Sequence, residues 1–194
     1  MKRRLSAADG QGLIEFAMVL PIFLLLVLGV IEVSYALLNQ HVVTKLTREG
    51  SNLISRDTTL QDAATAMRHM TTRPVDFSGS NSRMILSVIR RGATTGTANY
   101  NKDILYQRYQ IGGLSQASRL ATRGSAAFGG APDYTAANAD TNTNLQVTNL
   151  PSTITLAPGG MLYITEVYTR HSSITPLHGF GLSMPETLYS IAYF

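Results

Sequence analysis

Residues 13–38 read LIEFAMVLPIFLLLVLGVIEVSYALL. No charged side chain occurs from Phe16 to Ile31, and apolar residues continue as far as Leu38. As a helix, residues 13–38 are about 39 Å long at 1.5 Å per residue, and the hydrocarbon core of a bilayer is about 30 Å thick. A helix also satisfies its own backbone hydrogen bonds in lipid. The stretch therefore predicts a transmembrane helix, which we assign to residues 11–38.

The composition excludes several classes of protein. The chain has 194 residues, of which 44% are hydrophobic and 14% are charged, whereas a soluble domain usually carries about 25% charged residues. From Asn39 onward the chain contains thirteen Lys and Arg residues and nine Asp and Glu residues, and both kinds are dispersed along it. No basic patch with interleaved aromatic residues occurs, which argues against nucleic acid as a partner. The absence of cysteine excludes a disulfide framework.

Three interpretations of the N-terminal segment compete. A cleaved signal peptide would use the basic residues 2–4, the apolar core and the small residues at 34–36, but the core is long and Glu32 precedes that cleavage site. A plain signal anchor is the second interpretation, in which Glu15 marks the helix start and complements the helix dipole. The third is a prepilin-type leader, which the position of Glu15 after Gly10 favours.

The segment Gly10-Gln11-Gly12-Leu13-Ile14-Glu15-Phe16 resembles the processing site of Flp-type prepilins. That pattern is a glycine, four residues, a glutamate followed by an aromatic residue, and a long apolar run. The resemblance implies a leader of residues 1–10 that is cut between Gly10 and Gln11. Glu15 becomes the fifth residue of the mature chain, and Phe16 stands where tyrosine is usual.

The wider run GLIEFAMVLP at residues 12–21 is similar to the opening of TadE-like pseudopilins of the tight-adherence pilus. Three further segments support the same resemblance: Arg48-Glu49-Gly50, residues 160–168 and residues 188–194. The middle of the chain, from about residue 92 to residue 151, shows no resemblance. The resemblance implies a minor pilin or pseudopilin that assists assembly of a Tad/Flp-type pilus for surface adherence. It also implies partners: a prepilin peptidase, other pilins, and an inner-membrane assembly platform with a separate ATPase.

A single pass through a bacterial inner membrane follows, with membrane lipid as a further partner. The number of positive residues is similar on the two sides of the span, with three at residues 2–4 before it and Lys45, Arg48 and Arg56 after it, so this count does not decide the orientation. The short N-terminal tail favours a cytoplasmic N-terminus and an extracytoplasmic domain. Pro21 removes one backbone donor and predicts a kink or local melting of the helix.

An alternative function is a signal-anchored extracytoplasmic binding module that does not enter a pilus. No HExxH, Walker or GxSxG motif occurs, so we expect neither an enzyme nor a cofactor.

Residues 39–72 show apolar side chains every seven positions, which predicts an amphipathic helical stem with one buried stripe: Leu46, Leu53, Leu60 and Met67. We expect either a break near residues 55–57 or one continuous helix to about Met70. With a break, Asp57 is the predicted N-cap, and Thr58 with Gln61 forms a capping box.

Residues 73–194 predict a β-rich extracytoplasmic domain. Apolar or alternating runs indicate strands at residues 84–89, 104–111, 152–156, 161–168 and 187–193. A helical stem followed by four or five strands indicates an α+β fold with an antiparallel sheet. Residues 112–150 are rich in Gly, Ala, Ser, Thr and Asn, and predict a surface insertion that is partly disordered.

Candidate metal and charge sites are weak. His171 and His178 flank a short loop, but two histidines without a third ligand are typical of a surface rather than of a zinc site. The run that starts at Asp140 imitates a calcium loop, but it has Leu145 where the glycine belongs and Pro151 where the glutamate belongs. We expect no metal, and we expect Glu166 to face solvent on its strand.

Overall fold

The computed structural model describes residues 7–181 and 184–194, without the side chains at 7–9, 178 and 180. The predictions for Lys2, Arg3 and Arg4 therefore lie outside the described residues. A long N-terminal helix precedes a four-stranded antiparallel sheet, which confirms the predicted α+β fold.

Helix α1 spans Ala7–Ile54 and contains Pro21. An 18-residue window of this helix has a mean hydropathy of 2.7 and no buried residue, so the helix is long and apolar enough to cross a membrane. Helical structure continues without interruption through Pro21, so the expected local melting does not occur. The kink stays a prediction.

A turn separates α1 from helix α2, which spans Leu60–Met70, so the predicted break is confirmed. The predicted cap was wrong. Asp57 has a positive φ of 58° in the turn, and Thr59 is the N-cap, whose hydroxyl accepts a hydrogen bond from the Asp62 amide at 3.1 Å. Thr59 has the extended backbone that an N-cap needs, and its partner three residues later is Asp62, so the predicted Thr58–Gln61 capping box was wrong as well.

The sheet contains β1 (Ser82–Arg91), β2 (Asp103–Ile111), β3 (Met161–Arg170) and β4 (Thr187–Tyr193) in the order β2-β1-β3-β4. The strand predicted at 152–156 was wrong. Both sides of β3 are already paired, with β1 and with β4, so no place beside it is left for that segment. Ile154 and Leu156 instead pack as side chains against an apolar cluster of the sheet.

Strands β1 and β3 are buried almost throughout, because both faces of the sheet are covered. One face packs on the stem, that is, residues 39–54 of α1 together with α2. Residues 112–150 contribute buried side chains to the other clusters: Leu114, Leu120, Ala136 and Leu145. Most of this segment lies at the surface, as its composition predicted, but these four side chains attach it to the sheet.

The chain forms two compact units. One consists of α1 up to Leu38 together with Ser172–Glu186, and the other of Asn39–His171 with Thr187–Phe194. Residues 172–186, which the sequence placed in the β-rich domain, therefore group with the apolar part of α1.

Candidate processing and assembly site

Gly10 and Gln11 lie in the first turns of α1, and both are exposed. A Cβ built on Gly10 would meet no atom within 4 Å. The fold itself therefore does not require a glycine at this position.

Glu15 lies one turn further along the same exposed surface. The side-chain amide of Gln11 donates a hydrogen bond to its Oε1 at 3.0 Å. A residue pair at this spacing meets on one face of a helix. The structure thus brings together the residue after the proposed cut and the carboxylate that the sequence singled out.

Phe16 is 65% exposed and begins an apolar surface that runs around the whole helix. Among residues 10–31, all are exposed except the half-buried Leu25, Leu28 and Gly29. A helix that is apolar on every side and not covered by its own protein is suited to lipid or to other apolar helices. Pro21 lies in the middle of this surface.

The sequence alone assigned no structural role to Glu32, whose side chain holds residues 174 and 175 of the same chain. It is only 3% exposed, and its Oε2 accepts three hydrogen bonds: from the Thr175 hydroxyl at 2.7 Å, the Thr175 amide at 2.9 Å and the Ile174 amide at 3.2 Å. The available signal was a carboxylate directly after sixteen uncharged residues. The partners lie more than 140 positions away, so no local pattern points to them.

The Arg48-Glu49-Gly50 motif lies where the stem crosses the sheet. A Cβ on Gly50 would be 2.8 Å from Cγ2 of Thr165, so only glycine allows this approach without a shift. On either side, the Thr47 hydroxyl is 2.8 Å from that of Ser190, and the Ser51 hydroxyl donates to the Ala192 carbonyl at 3.1 Å. The motif is therefore a close helix–sheet contact.

Glu166 was expected to face solvent, and this prediction was wrong because the side chain is fully buried. Its Oε1 accepts hydrogen bonds from the Arg119 amide at 2.8 Å and from the hydroxyls of Tyr168 and Tyr189 at 3.1 and 3.2 Å. The Ser118 hydroxyl donates to its Oε2. Four donors bind the carboxylate, and these hydrogen bonds offset the free-energy cost of burying it.

Charged and aromatic neighbours surround Glu166. Burial lowers the pKa of Arg108, and the charge of Glu166 opposes this shift. Burial, and then the charge of Glu166, raise the pKa of Tyr168 and Tyr189 above the usual tyrosine range. The Arg119 guanidinium lies 4.0 Å from the centre of the Tyr189 ring. The cluster keeps both tyrosines protonated as donors.

The weaker candidates have other roles. His171 is buried and lies 3.2 Å from the Asn39 amide nitrogen, while the side chain of His178 lies outside the description. Asp140 pairs with Arg90 at 2.6 Å. Among the described residues, no group of three His, Asp or Glu side chains is placed to hold a metal.

An N-terminal helix that is long and apolar enough to span a membrane, followed by an antiparallel sheet, is consistent with a single-pass α+β protein. The family comparison is more specific: residues 10–52 match the family model of TadE-like proteins. The chain is similar to TadE-like proteins over this segment, which holds Gly10, Glu15 and the Arg48-Glu49-Gly50 motif. Neither the curated proteins nor the solved structures contain a significant match.

Proposed function

We propose that this protein is a membrane-anchored minor pilin or pseudopilin that assists assembly of a Tad/Flp-type pilus. The observation that carries the proposal is the TadE-like match over residues 10–52, whose first part, residues 10–31, is an apolar helix exposed on nearly every side. A surface of this kind serves first as an anchor in lipid. The same surface then packs against apolar helices of other pilins.

The proposed maturation is a cut between Gly10 and Gln11 by a prepilin peptidase. The exposed position of Gly10 and the open space around it support access by an enzyme. The cut creates a charged amine at Gln11, four residues from Glu15. This amine, or that of a neighbouring pilin, pairs with the Glu15 carboxylate and offsets the cost of placing it in a low-dielectric setting.

The remaining roles follow from the association with the pilus. An inner-membrane platform with a separate ATPase acts on the anchored chain, whose N-terminus lies in the cytoplasm and whose sheet domain lies outside. A sheet domain of this size suits a minor component better than the bulk subunit. The protein serves adherence structurally and is not an enzyme.

One observation favours the alternative of an anchored binding module. An open pocket of about 370 Å³ lies beside Arg119, Tyr168 and Tyr189. Its carboxylate neighbour, Glu166, already accepts four hydrogen bonds, so the pocket offers a cation and aromatic rings rather than a reactive acid. A binding module of this kind would keep its N-terminal leader.

The N-terminal residue of the membrane-extracted protein tests the proposal. Mass spectrometry should find a mature chain that begins at Gln11. Gly10→Leu should leave the longer precursor, whereas Gly10→Ala, which adds only a methyl group, should still be cut. An uncut wild-type chain in a strain that produces Tad pili would contradict the proposal and favour the binding module.

A further inference from the structure

The segment that connects β3 to β4, Ser172–Glu186, belongs to the same compact unit as the apolar part of α1. We call it the β3–β4 segment. Its amides at Ile174 and Thr175 and the Thr175 hydroxyl all donate to one oxygen of Glu32. Three donors on one carboxylate oxygen make this a specific attachment of the segment to the helix.

Glu32 lies at the end of the membrane-spanning stretch. A bilayer core of about 30 Å requires about 20 helical residues. Counted from Leu13 these end at Glu32, and counted from Phe16 they end at Tyr35. A span that begins at either residue ends in the turn of Glu32, before the end of the apolar stretch at Leu38, so the β3–β4 segment meets the helix at the depth where lipid and water meet.

The contact with the segment lies at Glu32. Leu25, Leu28 and Gly29 are the half-buried residues of the otherwise exposed stretch 10–31, and with Glu32 they follow the spacing i, i+3, i+4, i+7 of one helical face. A Cβ built on Gly29 would nevertheless meet no atom within 4 Å, so the space beside this face is open one turn before Glu32.

The composition of the β3–β4 segment suits this depth. Residues 172–185 contain no Lys, Arg, Asp or Glu. Ile174 is 52% exposed, whereas its neighbour Thr175 is 8% exposed and Leu177 is 3% exposed. A single exposed isoleucine is ordinary on a water-facing surface. Here it belongs to fourteen consecutive uncharged residues attached to a membrane helix at its boundary.

We propose that the β3–β4 segment is a second membrane contact, seated in the lipid interface beside the anchor helix with Ile174 facing the lipid. The inference rests on the proposed membrane anchoring and adds to it. The segment supplies hydrogen-bond donors to a carboxylate that lipid alone would leave unsatisfied. Two contacts with the bilayer fix the depth of the helix and its rotation about its own axis.

The test uses the natural absence of tryptophan. Three full-length variants each carry one: Ile174→Trp in the segment, Phe23→Trp in the anchor, and Tyr100→Trp at an exposed position of the sheet domain. Each is reconstituted in phosphatidylethanolamine–phosphatidylglycerol vesicles. Tryptophan emission and its quenching by lipids brominated at shallow or deep acyl positions are then measured.

We expect deep quenching for Phe23→Trp, no quenching for Tyr100→Trp, and a blue-shifted emission with preferential shallow quenching for Ile174→Trp. If Ile174→Trp matches Tyr100→Trp while Phe23→Trp is quenched, the second contact is refuted and the membrane anchor stands. If Phe23→Trp is not quenched either, the anchor itself fails, and the inference fails with it.

Glu32 is tested in the Ile174→Trp background. Glu32→Ala removes the acceptor and should shift the emission toward that of Tyr100→Trp, whereas Glu32→Gln retains a side-chain oxygen and should shift it less. Asp133→Ala, at an exposed position, is the control and should change nothing. Unchanged quenching in Glu32→Ala would overturn the role of Glu32 as the attachment point.

Discussion

Gly50 of the stem lies directly over Thr165 of β3, so closely that a Cβ on Gly50 would be 2.8 Å from Cγ2 of Thr165 and 3.0 Å from its Oγ1. This relationship sets the distance between helix and sheet. It also explains why the Arg48-Glu49-Gly50 motif has a glycine at its third position, because a side chain there would collide with the sheet.

The first prediction concerns this contact. Gly50→Ala should destabilise the protein by about 1–3 kcal/mol through overpacking, although Gly→Ala inside a helix normally stabilises by about 1 kcal/mol. Thr165→Ala should restore stability to Gly50→Ala, because it removes both close atoms and because Oγ1 of Thr165 has no hydrogen-bond partner among the described residues. Urea unfolding of the full chain in detergent measures both. Additive losses in the double variant would contradict the contact.

A second prediction concerns Glu166. Glu166→Ala should cost about 3 kcal/mol or more, because it leaves the hydroxyls of the buried Tyr168 and the half-buried Tyr189, and the Arg119 amide, without their acceptor. Asp133→Ala removes an exposed carboxylate and should be close to neutral. Thermal unfolding monitored by circular dichroism compares the two, and equal melting temperatures would show that Glu166 is not the centre of the cluster.

Alkaline pH provides a third prediction. The pKa values of Tyr168, Tyr189 and Tyr193 are raised in the folded protein, first by burial and then by the charge of Glu166. Below about pH 10, the ordinary tyrosine value, these groups are protonated in both states and stability is retained. Above it the unfolded chain loses these protons first, so it binds fewer protons than the folded chain and stability falls as pH rises.

Urea unfolding between pH 8 and pH 11.5 measures this slope. Tyr168→Phe should make the slope shallower, because one of the responsible groups is gone. Tyr100→Phe, at an exposed position, is the matched control and should keep the slope of the parent protein. A slope that is the same in all three proteins would exclude the buried tyrosines as its cause.

The fourth prediction concerns Glu15. Glu15→Gln is nearly isosteric, and an amide can still bond with the neighbouring Gln11 side chain, so the variant should insert in the membrane at normal abundance. It should impair pilus assembly, or crosslinking to other pilins, because the charge that pairs with a terminal amine is lost. Piliation is measured against protein level by immunoblot. Wild-type piliation at normal abundance would reduce Glu15 to a helix-start residue.

The sequence by itself determined the features that depend on neighbouring residues. The uncharged run from Phe16 to Ile31 indicated the apolar helix, and the alternating and apolar runs indicated the four strands that the structure contains. A helix break near residues 55–57 was one of two alternatives that the sequence left open, and the structure contains it. In each case the physical cause is local, because backbone geometry repeats every two residues in a strand and every 3.6 in a helix.

Only the tertiary structure decided the environment of each carboxylate. In the sequence, Glu166 has the pattern of a polar, solvent-facing residue in a strand. In the structure it is buried, because Ser118 and Arg119, about 47 positions away, supply hydrogen-bond donors to its carboxylate. Glu32 is satisfied from more than 140 positions away. Residues 112–150 have few large apolar side chains, but Leu114, Leu120 and Leu145 are among those that pack against the sheet. Burial depends on which distant segments meet, and no local pattern contains that information.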